Sequence, residues 1–135
     1  MSSQNYDAIK GLYDAFAIGD IPNVLAVLHE DIIWNEAENF PYADNNPYQG
    51  PQAVLEGVFA RCGGEWDGFA VHMNTLYDAG DHIIATGKYL GTYKQTGVSM
   101  NPQAVHIWTM KEGKAIRFQQ HIDTLDVAKA TGLTT

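Results

Sequence analysis

The spacing of hydrophobic residues changes once along this chain, and that change restricts the fold more than any other feature. Up to Cys62 apolar residues recur three and four apart, and from Phe69 onward they alternate between turn signals. The first pattern belongs to amphipathic helices and the second to half-buried strands. Tyr6, Ile9, Tyr13, Phe16 and Ala17 share one helical face. Gly19 can adopt the left-handed conformation that ends a helix. Asp20 then caps a second short helix with Pro22 in its first turn and Val24, Leu25, Val27 and Leu28 turned inward. Asp31 to Glu36 reads as a strand, followed by a polar loop from Asn39 to Tyr48. A third helix opens at Gly50-Pro51, presents Val54, Leu55, Val58, Phe59 and Cys62, and stops at Gly63-Gly64. Strands follow, divided by turns at Ala79-Gly80-Asp81, around Thr96-Gly97 and at Lys111-Glu112-Gly113. Three helices, then a four-stranded antiparallel meander that one early strand can join, make an α+β architecture. The 135 residues form one domain, 1–135, without repeat or linker.

Composition narrows the partners. The net charge is −8, and the eight basic residues are scattered. Nucleic acid is not expected, because binding it needs clustered Lys and Arg to displace counterions. No stretch approaches the roughly 20 apolar residues of a membrane span, and the first residues lack the basic start and apolar core of a secretion signal. The expected compartment is therefore the cytoplasm. Cys62 is the only cysteine, so no internal disulfide can form, and it reads as a core residue. The five histidines show no metal-ligand spacing, so no metal site is expected.

Several segments resemble a known family. Ala15 to Asp20 followed by Leu28 to Trp34 is similar to the helix–Gly-Asp–helix–Asp–strand opening of the nuclear transport factor 2-like superfamily. Tyr48 to Val54 resembles its entry to the third helix. His106-Ile107-Trp108, Gly113-Lys114, and Arg117-Phe118 to Asp123-Thr124 resemble the closing hairpin of its SnoaL-like branch. The resemblance implies a cone-shaped fold, three N-terminal helices packed on a curved, mostly antiparallel sheet that encloses a pocket. It implies no cofactor, and it implies a homodimer formed through the outer sheet face.

Relatives in that superfamily include ketosteroid isomerase, limonene epoxide hydrolase and the polyketide cyclases. Carried over by position, the isomerase's catalytic base falls on Glu36, its oxyanion-binding aspartic acid on His106 and its tyrosine on Leu12. One role is kept in kind, one is altered and one is lost. The positions matching the epoxide hydrolase's Arg and two Asp hold Gly87, Tyr89 and Gln120, which rules that chemistry out.

The residues make a partial case of their own. A carboxylate at the end of an apolar strand beside Trp34 would be desolvated, which raises its pKa, and Glu38 on the same face would raise it further. Such a Glu36 could act as a base near neutral pH; the alternative is that Glu36 and Glu38 lie exposed. The place of His106 depends on register. A three-residue Lys111-Glu112-Gly113 loop pairs His106 with Phe118, Trp108 with Ile116 and Ala104 with Gln120, so that His106, Trp108, Phe118, Gln120 and Ile122 share a face. A two-residue turn instead groups His106 with Gln119, His121 and Asp123, because a one-residue slip exchanges faces. In the first register His106 could donate to a substrate oxygen or pair with Glu36. Asp123 is a further candidate acid, or else a cap for the tail beginning at Thr124.

Tyr13, Phe16, Trp34, Phe59, Tyr89, Trp108 and Phe118, with Gln120 and Ile122, could line a site for a flat apolar ligand, or belong to an ordinary core. The expected function is proton transfer on an apolar carbonyl substrate by an isomerase- or cyclase-type enzyme. The alternatives are a non-catalytic binder of a small hydrophobic molecule and a dimeric assembly module with a vestigial pocket.

Overall fold

The computed structural model describes residues 3–134. Helix α1 (Gln4–Ala17) begins where the Ser3 hydroxyl accepts the Tyr6 amide at 3.0 Å, and Gly19, at φ +74°, reverses the chain after it. Its buried stripe is Ile9, Leu12 and Ala15, with Tyr13 and Phe16 half-buried beside it. Ala17, expected on that face, is exposed. Asp20 caps α2 (Ile21–Val27), as its position before Pro22 predicts. Strand β1 (Leu28–Asn35) starts three residues earlier than expected and ends just before Glu36.

The loop that follows is ordered around Phe40 and a 3₁₀ turn, Pro41–Asn45, and leads into the short β2 (Tyr48–Gln49). The third helix, α3, runs through Pro51–Val54, Leu55–Phe59 and Ala60–Glu65, its middle segment wound with the wider π spacing. There the Tyr48 ring lies so close to Gly57 that a Cβ would overlap its Cε1. Glycine is required at that contact.

Strands β3 (Trp66–Asp78), β4 (His82–Tyr93), β6 (Gln103–Lys111) and β7 (Lys114–Ile122) form the antiparallel meander, with β5 (Ser99–Met100) paired to β4. The sheet order is β2-β1-β7-β6-β4-β3, and β1 joins β7 in parallel. Irregularities between Asp67 and Ala70 and between Met73 and Thr75 break the β3–β4 ladder, the device by which long strands bend. A fourth helix, α4 (Thr124–Thr131), follows the sheet where the sequence suggested only a capped tail.

The β6–β7 hairpin corrects the expected register. Lys111 faces Lys114 across a two-residue Glu112-Gly113 turn with both φ values positive, +55° and +79°, the conformation favoured in tight hairpins. A bulge then leaves Ile116 unpaired between Met110↔Ala115 and Thr109↔Arg117. The extra residue undoes the change of face that a two-residue turn alone would cause. His106 therefore pairs with Gln120 and Trp108 with Phe118, rather than with Phe118 and Ile116. The inward group of His106, Trp108, Phe118 and Gln120 survives through two compensating differences.

Among the described residues no helix is long and apolar enough to cross a membrane.

Candidate functional site

The concave sheet face and helices α1 and α3 enclose a cavity. It holds about 480 Å³ of unfilled space including its mouth. Tyr13, Phe16, Trp34, Phe59, Tyr89, Trp108, Phe118, Glu36, His106 and Gln120 line it, together with Leu12, Phe40, Val58, Cys62, Phe69 and Val71. The Trp34 ring stacks on Phe118 with centroids 3.8 Å apart, and Phe59 and Trp108 meet Trp34 edge-on at 5.6 Å. The walls are thus mostly ring faces and edges.

Glu36 lines the cavity just past β1. Its position is fixed through the backbone: its N–H donates to Asn46 Oδ1 at 3.0 Å, and Asn46 Nδ2 donates back to its carbonyl at 2.8 Å. The next amide, Ala37, donates to Gln120 Oε1 at 3.0 Å. Held this way, Glu36 is only 3% exposed, and burial pushes its carboxyl up to about 8. Arg61 favours the charged form from a distance but is engaged elsewhere, gripping both Asp44 carboxylate oxygens at 2.9 and 3.0 Å. Glu38, expected to reinforce the shift, is exposed and takes no part in it. The Trp34 indole N–H also favours the charged carboxylate, yet it meets no acceptor in hydrogen-bonding geometry. It is the only buried side-chain polar atom among the described residues without such a partner.

His106 is organised differently. Its Nδ1 lies 2.6 Å from the Tyr13 hydroxyl and its Nε2 lies 2.5 Å from the Tyr89 hydroxyl. Trp108 Nε1 donates to the Tyr13 oxygen at 2.9 Å, and Gln120 Nε2 donates to the Tyr89 oxygen at 3.0 Å. Burial drives the imidazole down to about 3, so it is neutral, and burial also raises both tyrosine hydroxyls. A neutral imidazole carries one N–H. The two tyrosines and His106 therefore supply three hydrogens to two bonds, and one hydroxyl hydrogen, on Tyr13 or Tyr89, is spare. Because both imidazole nitrogens are occupied, His106 neither pairs with Glu36 nor presents its own N–H to a ligand. It acts through the tyrosines.

Two expected site residues lie elsewhere. Asp123 is exposed, and its carboxylate accepts the Asp126 amide as the cap of α4. Ile122 borders a separate, open groove with Glu38, His121 and Thr124. Neither residue lines the cavity. Cys62 is buried as expected but lines the cavity, and burial together with the neighbouring Glu36 keeps its thiol protonated. The lining roles of Val58 and Cys62 could be anticipated from the apolar face of α3. That of Phe40, which lies in an irregular loop, carries no sequence signal.

The model of the SnoaL-like domain family matches residues 9–118. A nuclear transport factor 2-like protein from Burkholderia thailandensis is 35% identical over 96% of this chain and 98% of its own, with a TM-score of 0.91. A nuclear transport factor 2-like protein of unknown function from Burkholderia pseudomallei is 25% identical over 96% and 98%, with a TM-score of 0.86. TerC, co-crystallised with polyporic acid, is 26% identical over 96% of this chain and 99% of its own, with a TM-score of 0.85. No curated protein matches the chain.

Proposed function

Since the chain belongs to the SnoaL-like domain family, we propose that its cavity performs proton transfer beside the carbonyl of a small, largely apolar substrate, with Glu36 carrying the proton. The observation that supports this most is a carboxyl buried on an aromatic wall with its pKa near 8, where it can both accept and return a proton at physiological pH. In the forward step the ionised Glu36 takes a hydrogen from the carbon next to the carbonyl. The C–H electron pair moves toward the carbonyl oxygen, which becomes an enolate. The spare hydroxyl of Tyr13 or Tyr89 donates to that oxygen, and the walls exclude water from the developing charge. Return of the proton from Glu36 to the same or another carbon completes exchange or isomerisation. His106 is here a positioning residue, because it holds the two tyrosines rather than touching the substrate.

The experiment is proton exchange of indan-1-one in D₂O, followed by NMR. The wild-type protein should accelerate loss of the hydrogens next to the carbonyl by roughly 10²–10⁴-fold over buffer, the usual scale for a positioned general base, and Glu36→Gln should abolish it. Exchange no faster than buffer, or unaffected by the substitution, would overturn the reading. The occupation of both His106 nitrogens favours a second reading, a non-catalytic binder of the same ligands. Retained binding without exchange would establish it. We also infer a homodimer through the outer sheet face, where Ile84, Val105 and Ile107 are only half-buried. Sedimentation at micromolar concentration should give the dimer mass.

A further inference from the structure

Glu36 follows β1 and Tyr89 lies on β4, strands that are not neighbours. The sheet runs β1-β7-β6-β4, so three strand spacings separate them. The parallel β1–β7 ladder ends at Asn35↔Gln119, one residue short of Glu36. Beyond that point the buried amides of the chain need other acceptors. Asn46 Oδ1 takes the Glu36 N–H, and Gln120 Oε1 takes the Ala37 N–H, each at 3.0 Å. The same Gln120 side chain donates from Nε2 to the Tyr89 oxygen at 3.0 Å. Gln120 is 1% exposed and pairs with His106 across β6 and β7. One planar amide thus joins the segment that carries the carboxyl to the ring that carries the hydroxyl.

The chemistry of that amide fixes its direction. A carboxamide presents an acceptor and a donor on one rigid group. The Ala37 N–H must face Oε1, because Nε2 in its place would set donor against donor. Nε2 is thereby turned to Tyr89, whose oxygen accepts. A reversed amide would take the Tyr89 hydrogen for itself; in the observed direction that hydrogen is left for His106 or for a ligand. The Gln120 N–H also favours the ionised form of the Tyr89 hydroxyl, against the effect of burial, which makes that hydroxyl a better donor.

We propose that Gln120 is a positioning residue, whose single amide group sets the spacing between the Glu36 segment and the Tyr89 hydroxyl and keeps the Tyr89 hydrogen available. Its catalytic consequence rests on the proton-transfer reading, whereas the link itself does not. A base and a hydrogen-bond donor that serve one substrate must keep their separation, since a displacement of about 1 Å costs on the order of 10²-fold in rate. Gln120 maintains it without touching the reacting atoms.

The test substitutes Gln120→Met, which keeps the length of the side chain and removes both hydrogen bonds, and follows indan-1-one exchange over a range of ketone concentrations. The kcat should fall by roughly 10- to 100-fold while KM changes by less than about threefold, the signature of lost alignment rather than lost binding. An unchanged kcat, or a loss confined to KM, would overturn the proposal. A second readout needs no activity. Tyr89→Phe should move the Ala37 amide hydrogen upfield, because an amide whose N–H is no longer engaged has a less polarised oxygen. In the Gln120→Met background the same substitution should leave Ala37 unmoved. A shift in both backgrounds, or in neither, contradicts the link. In the unsubstituted protein, where folding of a variant is not at issue, a scalar coupling between the Ala37 amide nitrogen and Gln120 Cδ should be detectable by NMR, and its absence would overturn the proposal as well. If the unsubstituted protein does not accelerate exchange but Ala37 responds as described, the proton-transfer reading fails and the Gln120 link stands. Glu36-dependent exchange with the same kcat in Gln120→Met gives the reverse.

Discussion

The Glu36 and His106 sides of the cavity are built from similar residues and differ in how far their polar atoms are engaged with one another. Around His106, both ring nitrogens, both tyrosine oxygens, the Trp108 N–H and the Gln120 amide are engaged with one another. Around Glu36, a carboxyl and an indole N–H share an apolar wall, and the N–H favours the carboxylate without reaching good hydrogen-bonding geometry. Low dielectric makes a connected polar network rigid and a weakly paired polar group costly. The first end reads as a frame that fixes where two hydroxyls sit. The second holds reactive potential that a ligand would satisfy.

Three substitutions can break or sharpen that contrast. The largest expected effect is on proton exchange, where Glu36→Gln should remove the roughly 10²–10⁴-fold acceleration while His106→Leu leaves a measurable part of it. Equal loss in both would erase the distinction between reactive group and frame.

Next comes pH-dependent stability, in which the two ends have opposite signs. The folded-state pKa of Glu36, about 8, lies above its ordinary 4.5, so the native protein keeps a proton that the unfolded chain loses. Its contribution is full below pH 4.5, declines as pH rises and is flat above about 8. His106, at about 3 against an ordinary 6.5, contributes fully above pH 6.5 and loses that contribution as pH falls toward 3. Urea unfolding should therefore show Glu36→Gln gaining on the wild type as pH rises from 4.5 to 8, by a few kcal/mol at most (roughly 1.4 kcal/mol per pH unit at the limit). A difference independent of pH would contradict the burial of the carboxyl.

A smaller effect is expected at the frame. His106→Leu takes one partner from each tyrosine but leaves the Trp108 and Gln120 bonds, and should cost about 1–3 kcal/mol at pH 7 by the same unfolding experiment. The smallest concerns the loop beside Glu36. Asp44→Ala frees Arg61, but that ion pair is partly exposed to solvent, so the loss should stay below about 1 kcal/mol. A larger loss would mean that the loop holds the Glu36 end closed.

Much of the fold is legible in the sequence because its signals are local. Gly19-Asp20 with Pro22 marks the break between α1 and α2, and the alternation through β6 marks which side chains point inward. The hairpin shows the limit of local reading. Neither the two-residue turn nor the Ile116 bulge is evident from composition, and the inward group is recovered only because they compensate. At the site, the position of Glu36 at the end of an apolar strand indicates a desolvated carboxyl. The role of His106 is not readable, since it depends on Tyr13 and Tyr89 arriving from α1 and β4, and sequence periodicity says nothing about which polar atoms meet across elements. Asp123 illustrates the converse: an acid at an element boundary is explained by the helix it caps.

The account depends most on the state of one carboxyl. Its direct test is a ¹³C NMR pH titration of the glutamate side chains, with the Glu36 signal identified by its absence in Glu36→Gln. A midpoint near 8 is expected. A midpoint near the ordinary 4.5 would mean that water reaches the group, and the proposed proton carrier would be an unremarkable carboxylate.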